Sequence, residues 1–277
     1  MKQLNAQQYL KACANDLRCG CDGGNLEGRL WYFGLEPGGF NRANLELEKN
    51  LQDDGSRESE RVTWVYDNPY GRYFNQFFRA LFNLKKMGGR LSVEDSCNLH
   101  GLLTNEGPVF RGNIYPISRH DHMDWNNLDI FFEEKCLGKA PQVTGWSLEE
   151  YLENMISARK NVLLEKLEEI SLRNGNRQAI VVCTATGQKN KFAKSFGVEE
   201  GSFEEIFFEN SKGGSAYLAQ IPGRNIDIIG WLYVIPFFRT SKGRLSFEEQ
   251  RGYATALRSI LMEKGAKVDL NLLGANY

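Results

Sequence analysis

Three short stretches of this 277-residue chain set chemically capable side chains beside turn-forming ones, each just after an apolar run. The first is Gly34-Leu35-Glu36-Pro37-Gly38-Gly39-Phe40, which follows Arg29–Phe33. Its glycines permit a sharp exit and a close backbone approach to a ligand, and Pro37 stiffens the turn so that Glu36 is held in a defined direction. A carboxylate fixed there suits positioning a water or stabilising developing positive charge. A Gly-Pro turn with an exposed Glu is the plain alternative. The stretch contains no Gly-Lys-Ser/Thr and no G-x-G-x-x-G, so neither common phosphate loop is present.

The second stretch is Asn113-Ile114-Tyr115-Pro116-Ile117. An amide offers a donor and an acceptor together, which matches the edge of a nucleobase; an Asn satisfying backbone groups at a strand end reads the same way. The third runs from Ile235 to Arg244, where Phe237 and Phe238 precede Arg239, Lys242 and Arg244. Aromatic rings for stacking beside cations for phosphate form the combination that a nucleic-acid strand needs, and a solvated surface loop shares it.

Two other groups invite metal chemistry. His120 and His122 stand at i and i+2, on one side of an extended segment, where they could ligate a metal or supply an imidazole; a polar loop with two ordinary histidines is the plainer reading and the one favoured. Cys13, Cys19 and Cys21 form C-x5-C-x-C without a nearby fourth ligand, so reduced, partly buried thiols are expected rather than a zinc or iron-sulfur site. The expectation is no metal and no cofactor.

The elements that must position these residues are legible as periodicity. Helices are expected over Asn5–Leu17, Pro69–Lys86 and Gln188–Phe196, and from two capping boxes, Ser147-Leu-Glu-Glu150 running to about Leu172 and Ser246-Phe-Glu-Glu249 running to near Gly265. Short apolar runs at Arg29–Phe33, Val109–Ile117 (stopping at Pro116), Ala179–Cys183 and Ile226–Ile235 read as buried strands. Glu204–Phe208 and Ala216–Ile221 read as an extra hairpin, and Gln52–Glu60 as a surface loop. Alternating strands and helices argue for an α/β fold with a mostly parallel sheet covered on both faces, whose ligand lies at the carboxyl ends of the strands.

Composition bounds the rest. Hydrophobic residues at 42% and charged residues at 25% are globular proportions, which excludes disorder, collagen and a pure coiled coil. Lys+Arg 34 against Asp+Glu 35 leaves a formal charge of -1, so any nucleic-acid role must rest on a local patch. The chain has no apolar run near membrane-spanning length and no signal-like start, from which no membrane partner and a cytoplasmic location are expected.

Taken together, the three stretches resemble the uracil-DNA glycosylase superfamily, in particular its single-strand-selective monofunctional type. That type carries G-M-N-P-G-P-F-G-M, N-x-C-P-L and H-P-S-P-R-N; the counterparts here are G-L-E-P-G-G-F at Gly34–Phe40, N-I-Y-P-I at Asn113–Ile117 and I-P-F-F-R-T at Ile235–Thr240. The likeness is one of motifs, in order, across Leu30 to Met262. It implies a three-layer α/β/α sandwich with a central, mostly parallel four-stranded sheet, as one domain over residues 1–277 with insertions near 52–60, 125–146 and 204–221. It further implies that Glu36 positions the hydrolytic water and that Asn113 reads the base, with Phe40, Tyr115 and Phe237 as further base contacts. Gly38, Gly39, Arg239, Lys242 and Arg244 would meet the backbone of DNA or another nucleobase-containing ligand. The third motif departs from the pattern: Ile235 stands where the family has His, and Phe237 where it has Ser. Loss of one such donor costs about 10² to 10³ in rate, so two readings stay open, a glycosylase for an unusual base and a non-catalytic binding module. A protein-interaction scaffold whose strand-end loops do no chemistry is the third.

Overall fold

The computed structural model describes residues 6–18, 23–35, 76–83, 107–115, 145–209, 211–240 and 243–270. In chain order these form α1 (Ala6–Asn15), β1 (Gly23–Gly24), β2 (Leu30–Gly34), β3 (Val109–Asn113), α2 (Leu148–Arg173) and β4 (Ala179–Thr184). There follow α3 (Lys189–Ser195), β5 (Glu204–Ile206), β6 (Ala216–Pro222), β7 (Ile228–Ile235), β8 (Arg239–Thr240), β9 (Gly243–Arg244) and α4 (Phe247–Glu263). Residues 76–81 are also helical. Asn5, the 52–60 loop, both ends of the 69–86 helix and residues 125–144 of the expected second insertion lie outside the described residues.

The central strands read as unbroken apolar runs because both of their faces are covered. Trp31, Phe33, Phe110, Val181, Cys183, Leu232 and Val234 point to one face and pack against α1, α2 and α3. Their alternates Leu30, Val109, Ile180, Val182, Trp231, Tyr233 and Ile235 point to the other and pack against helical residues 77–82 and α4. The fold is therefore α/β, with helices on both sides of one sheet. Both capping boxes form: Ser147 Oγ accepts from Glu150 N at 3.2 Å while Glu150 Oε2 accepts from Ser147 N at 2.7 Å, and Ser246 and Glu249 repeat the exchange at 3.1 and 2.6 Å.

The sheet is wider and more mixed than the four-stranded, mostly parallel one expected. Its order is β1-β3-β2-β4-β7-β6-β5. The four contiguous strands β3, β2, β4 and β7 are parallel, and β1, β6 and β5 are antiparallel additions at the two edges. The 204–221 hairpin is thus part of the sheet rather than an appendage, because the chain returns tightly after Pro222 and lays β6 back along β7.

Glu168 of α2 holds that return, accepting from the backbone N–H of Asn225 at 2.6 Å and of Arg224 at 2.9 Å. These donors, that of Asn225 foremost, favour the carboxylate and hold its pKa below the ordinary 4.5 against the opposing effect of burial. A depressed folded-state pKa gives stability that is present above about pH 4.5 and is lost as the pH falls through the depressed value. Glu168→Gln is therefore expected to cost about 1–2 kcal/mol at neutral pH and less as the solution is acidified. Urea unfolding of both proteins across an acid pH series checks this. A stability gap that stays constant, or widens, toward low pH would overturn it.

Candidate functional site

The four parallel strands end together. Gly34 of β2 pairs with Asn113 of β3, Phe33 of β2 with Cys183 of β4, and Thr184 of β4 with Ile235 of β7. The exits stay joined past the strands: Ile114 N donates to Gly34 O at 3.1 Å, Tyr115 N to Leu35 O at 2.7 Å and Ala185 N to Ile235 O at 2.9 Å. The three stretches singled out in the sequence leave the sheet along one edge, the carboxyl edge where open α/β sheets place ligands.

Asn113 closes β3 and is 2% exposed. Its main-chain oxygen accepts from Arg159 Nη1 of α2 at 2.5 Å. The preceding Gly112 is required by packing, since a Cβ there would lie 2.7 Å from Cζ of Phe33. Tyr115 turns into the core under α2, with its ring 6.3 Å from that of Tyr151. Glu36, Gly38, Gly39 and Phe40 follow Leu35 in sequence and lie outside the described residues, as do Lys242, His120, His122, Cys19 and Cys21. Cys13 is a buried free thiol.

The third stretch is built differently from a loop. Ile235, the last residue of β7, is wholly buried in the core beneath the edge. After Pro236, Phe237 is 37% exposed and lies 4.5 Å from the ring of Phe238. The chain then forms a small hairpin in which Arg239 stands opposite the exposed Arg244 and Thr240 opposite Gly243. Leu245 N closes it on Phe238 O at 2.8 Å. A second loop braces this junction. Ser211 Oγ lies 2.7 Å from Tyr253 Oη and donates to Glu249 at 3.0 Å, and Tyr253 Oη donates to Gly214 O at 2.9 Å. Gly213 then seats directly on the proline, where a Cβ would come within 2.7 Å of Pro236.

Two features of this edge escaped the sequence reading. One is a fourth junction, Thr184 to Gln188, after β4. Ala185 adopts φ 106°, a backbone conformation costly for any residue with a Cβ, and leads into a short turn at Thr186–Gln188. The rule that ligands sit after parallel strands, applied to Ala179–Cys183, points straight at it. The other is a polar floor. Tyr32 of β2 is the register partner of Arg111, whose positive charge acts on its phenol, with Thr184 of β4 nearby. Burial pushes the Tyr32 pKa far above its ordinary value, while Arg111 and Thr184 act against that rise, so the ring is a neutral hydroxyl. A charged residue inside Val109–Ile117 was the available signal for Arg111.

Among the described residues, a cleft of about 170 Å³ lies elsewhere, lined by Arg258, Leu261 and Met262 of α4 with Ala266, Val268, Asp269 and Leu270, and is smaller than typical small-molecule sites. No group of three or more metal-capable side chains occurs among the described residues, and no helix among them is long and apolar enough to cross a membrane. Compared with family models, with curated proteins and with solved structures, the chain matches none.

Proposed function

We propose that the chain is a glycosylase-like protein that takes a nucleobase at the carboxyl edge of its parallel strands and hydrolyses the N-glycosidic bond of a damaged or unusual base in DNA. The observation that carries this reading is the pairing of Gly34 with Asn113, continued by the bond from Tyr115 N to Leu35 O. It starts the Glu36 turn and the base-reading Asn from adjacent points, as the resemblance requires. Four contiguous parallel strands with helices on both faces agree with the sandwich that the resemblance implies.

In this reaction the bond from C1′ to the base nitrogen breaks through a cation-like sugar, and the oxygen of a water bonds to C1′. One proton of that water passes by way of the Glu36 carboxylate to the departing base, and the other stays on the oxygen as the new sugar hydroxyl. The reading calls for no cofactor.

A second reading, a binding module on the same frame, is favoured by one observation. Ile235 is wholly buried, so the strand end that should carry an imidazole for the departing base presents an apolar side chain to the core. Single- and double-stranded oligonucleotides carrying uracil, hypoxanthine, xanthine and oxidised pyrimidines, incubated at high protein concentration, separate the two. Release of a modified base, with uracil released slowly or not at all, is the expected result. No release from any of them, with binding retained, would leave the binding module.

A further inference from the structure

We propose that β5, the free edge of the sheet, takes an extended lysine-bearing segment of a partner protein as its next strand. The inference goes beyond the carboxyl-edge reading and does not rest on it. Among the described residues β5 ends the strand order with β6 as its one neighbour, so its outer backbone donors and acceptors face no strand. Such an edge is a template for a further strand. Directly after β5, Phe207 is 74% exposed, the most exposed large apolar side chain among the described residues. Its neighbour Phe208 instead packs against the ring of Tyr253 at 4.3 Å.

The surround selects the charge of the occupant. In a chain of formal charge -1, residues 199–209 hold Glu199, Glu200, Glu204, Glu205 and Glu209 and no Lys or Arg. All five are exposed, and among the described residues only Glu204 is ion-paired, with Lys264 at 2.8 Å. A second copy of this edge would set glutamates against glutamates, and like charges across a strand pair are destabilising. A cationic strand gains where that copy loses. The chain itself displays the chemistry: Lys189 places its ammonium 4.2 Å from the ring centroid of Tyr217 and 5.2 Å from that of Phe203. Phe203 directly precedes β5, and Tyr217 of β6 is the register partner of Glu205. Aromatic faces beside a carboxylate thus already hold one ammonium at this edge, and Phe207 with Glu205 and Glu209 offers the same combination to a lysine from outside.

The probe is a capped peptide of alternating Lys and Val, titrated calorimetrically into the full chain. Its controls are the Glu-Val counterpart and a Lys-Val peptide methylated at every backbone nitrogen. The wild type is expected to bind the Lys-Val peptide ~10-fold or more tighter than either control, since the first lacks the charge and the second the strand donors. Phe207→Ala and Glu205→Lys should each weaken binding ~10-fold, one by removing the ring and the other by reversing the charge. Both side chains lie at the surface, so both variants are expected to fold, which circular dichroism checks. No binding of the Lys-Val peptide, or equal binding of the methylated one, would overturn strand addition. Full affinity in Phe207→Ala would overturn the assignment to this edge. A wild-type dimer in sedimentation that Phe207→Ala dissolves would give the edge to a second copy instead.

Discussion

Glu36→Gln is expected to lower the rate of base release by about 10²–10³-fold while oligonucleotide affinity changes by less than about twofold. The substitution is nearly isosteric, so it removes a charge and little else. On the glycosylase reading that charge acts on the cation-like sugar and on the water as it attacks, interactions that strengthen only near the transition state, so kcat should fall while KM holds. Single-turnover release of whichever base the panel identifies, beside a titration of the same oligonucleotide, reads the two quantities separately. A variant that releases the base at the wild-type rate would remove Glu36 from the chemistry. A variant that loses affinity in proportion to rate would make it a ground-state contact instead.

Arg159→Met should destabilise the fold by about 3 kcal/mol or more, the largest loss expected of a single substitution away from the hydrophobic core. The side chain is wholly buried. Its guanidinium donates to Asn113 O at 2.5 Å and to Cys13 O and Asp16 O at 3.3 Å each. It thereby joins α2 to the end of β3 and to the carboxyl end of α1, a helix with no basic residue in its own last turn. Methionine fills much of the volume and leaves those carbonyls without the donor, away from water. Urea midpoints measure the loss, and amide exchange locates it: protection should drop in residues 6–18 and 109–115 before it drops in β4 and β7. Arg159→Lys, with one compact ammonium for three separated acceptors, should recover only part of the stability. A cost under about 1 kcal/mol would mean that the carbonyls find other partners.

Much of this fold is written locally. The capping boxes at Ser147 and Ser246 form because each needs only residues three apart, and the buried strands follow from runs of apolar side chains whose burial is nearly independent of their neighbours. The order and strand-end placement of the Glu36, Asn113 and Ile235 stretches could be read for the same reason.

Pairing could not. That Gly34 meets Asn113 across some eighty residues of sequence, that β6 and β5 extend the sheet, and that Arg239–Arg244 is a hairpin all depend on which strand lies beside which, a choice made by long-range packing. Nor does a buried cation announce its partners along the chain: Arg159 binds carbonyls far from it in the sequence, and Arg111 meets Tyr32 only through the register of β3 with β2. Local patterns encode elements because their hydrogen bonds close within a few residues. The partners of the buried cations and the common edge arise only when distant elements pack together, and no spacing along the chain records that.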